Sequence, residues 1–265
     1  MQKWNEPKGP PPSHLDLADE ITHEDVHRFS KDRFAVECME ACLRLGCAPK
    51  QAAGVTANVL NESAWGQACR AHNYGGWKLF KPYAAAYRKA HGKGPPWWRA
   101  PGNKAPGATL EDHKGGDPPW CFYRAFDSLD DFLANWLLAF VPKPAPGAPS
   151  REGKGDPATA DYRLAGERFW NGRSDWFAAM VAAGYKGTRT EAHPDQAIAE
   201  YHSLAKGALT RWAQARLRIK VDGIWGSEST ATCRVFQTCH GLEATGALDD
   251  VTLLVLAKFL DSPAT

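Results

Sequence analysis

The feature that most limits the fold is a break in periodicity. From Gly75 to Trp120 the chain is rich in Gly, Pro and Trp, with HGKGPPWWRAPGNKAPG at its centre, and apolar residues show no helical spacing there. Such a stretch reads as a long loop region or a small irregular β lobe, and segments of this length inside a compact domain are more often functional than idle. Helical patterns flank it. Upstream, one helix is expected near 31–46, ended by Gly46, and a second near 49–62, opened by Pro49, which a first helical turn tolerates. Downstream, Ser128 and Asp131 form a capping-box-like opening to Leu129, Phe132, Leu133, Trp136, Leu137 and Phe140, an amphipathic stripe. After the flexible PKPAPGAPSREGKGDP connection, helices resume in FWNGRSDWFAAMVAAGY and PDQAIAEYHSLA. The expected organisation is an N-terminal arm over 1–30, a main domain over 31–205 and a small module over 206–265.

With 265 residues, 43% of them apolar, the chain has enough material for a buried core. Lys and Arg (32) nearly balance Asp and Glu (30), which removes any whole-chain electrostatic argument for nucleic acid or membrane. Charge is uneven locally: residues 81–124 carry Lys and Arg against Glu111, Asp112 and Asp117, a pattern suited to an anionic polymer or to solvated loops. The N-terminal MQKWNEPKGPPPSHLDLADE lacks an apolar signal core, so the protein is expected to be made in the cytoplasm and to reach a wall or periplasm only by release or delivery. No run matches a membrane span. Phe34, Cys38, Cys42 and Leu45 recur at helical spacing, which makes the thiols small buried hydrophobes; a metal site on Cys38, Cys42 and Cys47 would lack paired C-x-x-C knuckles. His23, Glu24 and His27 complete an H-E-x-x-H string, but Thr22, Glu24 and Asp25 also suit a solvated first helical turn. Neither a metal nor an organic cofactor is expected.

One carboxylate stands out. In VTANVLNESAWGQ, Val55, Val59 and Glu62 are spaced four and then three, which on a helix places the acid on the apolar face. Partial desolvation there raises a carboxyl pKa towards the range useful for proton donation.

Taken with AHNYGGWK (71–78), YRAFDS (123–128) and AAGY (182–185), the ESAWG segment resembles the glucosaminidase domain of glycoside hydrolase family 73, of lysozyme-like fold. The resemblance covers about residues 31–205. It implies a mainly α, α+β lysozyme-like catalytic domain with a small irregular β lobe, Glu62 as catalytic acid and Tyr185 as the tyrosine that helps stabilise the cleaving sugar. A glycosidase usually needs a second carboxylate, and Glu111, Asp112 and Asp117 lie in the segment that would form the opposing wall; substrate-assisted attack is the other route. Asn73, Trp77, Trp97, Trp98, Trp120 and Phe126 are the candidate substrate contacts, since an aromatic face covers the apolar side of a sugar ring.

At the C-terminus, VDGIWGSES (221–229), VFQ (235–237), GLEATGALD (241–249) and Thr252 resemble the small three-helix peptidoglycan-binding domain of cell-wall hydrolases. Asp222, Trp225 and Gln237 are its expected contacts, Ser229 its helix cap and Cys233 a core residue. Both resemblances imply a peptidoglycan hydrolase that cuts a β-1,4 bond of the glycan strand as an endo-β-N-acetylglucosaminidase. The alternatives are a muramidase or lytic transglycosylase, or a non-catalytic wall-binding component, for example of a phage particle or injection device.

Overall fold

The computed structural model describes residues 30–67, 69, 72–77, 108–111, 122–147, 162–183 and 194–258. The chain divides into two compact units, residues 1–30 with 68–132 and residues 31–67 with 133–265. Among the described residues there are eight helices: α1 (Lys31–Arg44), α2 (Pro49–Glu62), α3 (Leu129–Phe140), α4 (Tyr162–Trp170), α5 (Trp176–Ala182), α6 (Pro194–Arg216), α7 (Ser227–Cys239) and α8 (Asp250–Lys258). Among the described residues, strand pairing is confined to an antiparallel ribbon of β1 (Ala108–Glu111) and β2 (Phe122–Ala125), with Ala108 opposite Ala125 and Glu111 opposite Phe122.

The expected α+β lysozyme-like class is therefore corrected. The described architecture is α-helical, and one ribbon of four residues a side is not a β lobe; two strands alone are marginal as an independent sheet. The family 73 resemblance falls with it, because a ribbon of this size does not supply the β-sheet element that the family's catalytic domain requires.

In the larger unit, α6 packs along both α2 and α1, which also pack on each other. The core here draws on Phe34, Cys38 and Met39 of α1, Val55, Val59 and Leu60 of α2, and Ala208, Trp212 and Ala213 of α6. Cys38 and Cys42 are wholly buried, and burial pushes the Cys47 thiol up to about 12, so all three behave as small apolar groups. Pro49 opens α2, whose third residue, Gln51, accepts the Ala48 N–H at 2.7 Å and donates to the Phe169 carbonyl. Gly166 of α4 lets the Pro142 carbonyl approach closely; a Cβ there would collide with that backbone oxygen. The expected boundary between 205 and 206 lies inside α6, which continues unbroken to Arg216 and carries the fully buried Trp212 beyond it.

Past Trp212 the chain repeats itself. Gln214 Nε2 donates to Asp222 Oδ1 (2.9 Å), the Ile224 carbonyl (2.9 Å) and Ser229 Oγ (3.3 Å), while its Oε1 accepts the Gly223 N–H (2.9 Å). Gln237 Nε2 donates to Thr245 Oγ1 (3.1 Å), the Ala247 carbonyl (3.1 Å) and Thr252 Oγ1 (2.9 Å), and its Oε1 accepts the Gly246 N–H (2.7 Å). The partners fall at +8, +9, +10 and +15 from each glutamine, 23 residues apart. Even the inner turn bond recurs: Ile224 N–H to Asp222 Oδ1, and Ala247 N–H to Thr245 Oγ1. Gly223 (φ 76°) and Gly246 (φ 75°) occupy the left-handed position that each turn demands. Two helix-turn-helix units are thus each locked by one buried amide. Ser229 is not a cap: Gly226 is the N-cap of α7, and Ser229 is a buried partner of Gln214, as Thr252 is of Gln237.

Both glutamines are buried, so losing either amide strands turn N–H and carbonyl groups. Gln214→Leu and Gln237→Leu are each expected to cost about 1–3 kcal/mol in urea unfolding. Losses below about 0.5 kcal/mol, within the range of an ordinary surface change, would contradict the clasp.

Candidate functional site

Glu62 ends α2 and is solvent-exposed, but one side of its carboxyl is crowded. Desolvation raises its pKa above the ordinary glutamate value, and a hydrogen bond from Tyr201 of α6 partly offsets that. Asn58 Nδ2 (3.3 Å) and Asn61 Nδ2 (3.1 Å) donate to the same Tyr201 hydroxyl. One phenol thereby accepts from two amides and gives its proton towards the carboxylate, using its full hydrogen-bonding capacity. The surroundings push the Tyr201 pKa up, mainly by desolvation. Asn58 and Asn61 follow Val55 and precede Glu62 on α2, while Tyr201 arrives from a helix more than a hundred residues away in sequence.

The ESAWG segment builds a turn. Ser63 Oγ donates to the Val59 carbonyl (2.6 Å) and accepts the Gly66 N–H (2.8 Å), and Trp65 N–H reaches the Leu60 carbonyl (2.8 Å). Ala64 (φ 48°), Trp65 (φ 63°) and Gly66 (φ 84°) then run through left-handed backbone, which is costly for the first two. The Trp65 ring lies 5.1 Å from the Arg211 guanidinium carbon, a cation–π contact.

In the smaller unit, Asn73 is buried and clasps a turn: its Nδ2 donates to the Trp77 carbonyl (3.0 Å) and its Oδ1 accepts the Trp77 N–H (2.8 Å). The Trp77 ring stacks on Phe126 (centroids 5.8 Å), and Phe126 meets Phe132 edge-on at 5.3 Å. Ser128 caps α3 by accepting the Asp131 N–H at 3.1 Å, and the Asp131 carboxylate accepts from Asp127 N–H. Of the expected substrate contacts, Asn73, Trp77 and Phe126 thus share one aromatic packing cluster. Trp97, Trp98, Trp120, Tyr185 and Asp117 lie outside the described residues, as do His23, Glu24 and His27. Glu111 is placed by its backbone only, in β1 opposite Phe122.

In the C-terminal segment, Asp222 binds Gln214 and the Ile224 N–H, and these hydrogen bonds hold its carboxyl below the ordinary aspartate value. Trp225 Nε1 donates to the Gly246 carbonyl (3.1 Å) and so joins the first clasped turn to the second. Gln237 is wholly enclosed. Ile224, with 70% of its surface exposed, is the large apolar side chain that these turns present to solvent. The sequence reading missed Ile224, Tyr201, Asn58 and the clasp of Gln214. A Q-x7-[D/T]-G-x5-[S/T] pattern repeated at a fixed offset was the available signal for the last.

The glycosidase reading is corrected with the fold. Among the described residues no group of three or more His, Cys, Asp and Glu side chains converges, and what acts on Glu62 is burial and a neutral phenol rather than a second acid. That arrangement does not amount to the two-carboxylate machinery of a glycoside hydrolase, whether glucosaminidase or muramidase.

Glu62 is expected to titrate above the ordinary glutamate range in a carboxyl ¹³C NMR titration, and Tyr201→Phe should raise the midpoint further by removing the donor that favours the anion. A raised folded pKa contributes stability that is full below the unfolded pKa and is lost as pH rises through the folded pKa. Glu62→Gln should therefore gain on the parent as pH rises above the unfolded pKa, with the gain complete above the folded pKa. A midpoint that falls in Tyr201→Phe would contradict the assigned hydrogen bond.

No protein-family model, no curated protein sequence and no solved structure matches the chain.

Proposed function

We propose that this protein is a non-catalytic component that binds the glycan strand of bacterial peptidoglycan through its clasped C-terminal turns. The observation that carries the reading is the pair of turns at 222–225 and 245–247, each fixed by a buried glutamine and joined through Trp225 Nε1 to the Gly246 carbonyl. Holding the backbone in place beforehand lowers the entropy lost on binding. Ile224 and the partly buried Trp225 supply an apolar surface of the kind that covers the non-polar face of a pyranose ring. A repeating polymer suits such a surface because weak contacts add when several molecules or subsites engage one strand. Glu62 has no part in this interaction.

Co-sedimentation of the full chain with purified peptidoglycan sacculi tests the reading. The parent and Glu62→Gln should pellet alike, and Ile224→Asp should lose about tenfold in apparent affinity, the equivalent of about 1.4 kcal/mol. Ile224 makes only backbone hydrogen bonds, so the substitution leaves both clasps intact. Failure of the parent to pellet, or equal pelleting by Ile224→Asp, would reject the assignment.

A further inference from the structure

A second feature of the larger unit is unrelated to the clasped turns. Between α2, α5 and α6 lies an open cleft of about 230 Å³. Its floor is small and apolar: Ala53 and Gly54 from α2, with Ala205 and Leu209 one and two turns beyond Tyr201 on α6. One wall is the stacked pair of Phe177 and Tyr201, with ring centroids 4.5 Å apart and planes 25° from parallel. The Tyr201 hydroxyl is occupied by Asn58, Asn61 and Glu62, which leaves the ring to serve as surface.

The rim is charged, and its charges are unequal in what they have left to bind. Asp175 is the sole carboxylate in the lining, and both its oxygens are taken: Oδ1 accepts the Ala178 N–H as the N-cap of α5 (2.7 Å), and Oδ2 faces His202 Nε2 (3.2 Å). Lys50 pairs with Asp250 at 2.6 Å. Lys206, exposed one turn along α6 from His202, forms no ion pair among the described residues. An apolar trough with one uncommitted ammonium at its lip selects for an anion with an apolar body. The volume exceeds the roughly 150 Å³ that accepts benzene, which leaves room for a short acidic arm on a ring.

We infer that this cleft is a binding site for a small aromatic carboxylate, its ring laid against Ala53, Gly54 and Phe177 and its carboxylate paired with Lys206. The ring replaces water over apolar side chains, and the carboxylate gains a charge-assisted hydrogen bond.

The test is a titration of 3-phenylpropionate into the ¹⁵N-labelled full chain, followed by amide shifts, with 3-phenylpropanol as the uncharged control. Saturable shifts confined to Ala53, Gly54, Phe177, His202, Ala205 and Leu209 are expected, with the alcohol binding about tenfold more weakly, the loss of one hydrogen bond to a charged group. Lys206→Met should weaken phenylpropionate by a similar factor and leave the alcohol unchanged. Ala205→Leu, a change that helices tolerate, should fill the trough and remove both ligands. Circular dichroism confirms that this variant is folded; if it is not, Lys206→Met alone decides, because its side chain is exposed. Absent or non-saturable shifts, shifts centred elsewhere, or equal affinity for parent and Lys206→Met would overturn the assignment.

Discussion

The guanidinium of Arg211 is the point on which the larger unit depends. Its Nε meets Asp32 of α1 at 2.5 Å, its Nη1 reaches the Gly207 carbonyl one turn back on α6 at 3.1 Å, and its Nη2 reaches the Asp222 carbonyl at 3.3 Å. The Trp65 ring lies against it. One side chain therefore ties the first helix, the turn after α2 and the first clasped turn to α6. A planar fork with five donors can serve so many partners; a lysine ammonium could not. The same crowding fixes Gly223, because a Cβ at that position would collide with Nη1 and because its φ of 76° disfavours any other residue.

Beyond this point the structure relies on two buried amides, each bonded on both its oxygen and its nitrogen. Gln214 and Gln237 each exchange several hydrogen bonds with a turn, so the chain beyond α6 needs little apolar mass to hold its shape. Among its described residues the fully buried hydrophobic ones are Cys233, Leu253 and Leu256. Buried amides of this kind specify one conformation, since a slip of a single residue would break every bond of the set and leave the groups unpaired. The tetrad of Asn58, Asn61, Glu62 and Tyr201 follows the same logic on the other side of α6, where it holds an exposed carboxylate against a phenol.

Local helical signals were legible in the sequence. Pro49 starts α2, Ser128 caps α3, and Phe132, Leu133, Trp136 and Leu137 are buried along the stripe that their spacing predicts. What misled was a short phrase read as chemistry. In ESAWG each residue after the acid has a packing duty: Ser63 closes the helix end, Trp65 lies against Arg211, and Gly66 takes φ 84°. Asn73, Trp77 and Phe126 likewise hold one another. Residue types that suit a sugar cleft suit a turn clasp and an aromatic core equally well, and single-sequence spacing does not separate the two. The partnership of Glu62 with Tyr201 and the grip of Arg211 on Asp32 were illegible for a different reason. They join residues 139 and 179 positions apart, and no local period reports such contacts.

The central claim is attachment to the wall without cleavage of it. The most direct measurement is incubation of the full chain with purified sacculi, followed by mass spectrometry of the soluble fraction and an assay of new reducing ends. The account predicts protein retained on the pellet and no glycan fragments above the protein-free control. Release of fragments that stops in Glu62→Gln would contradict it and would make that carboxylate a working acid.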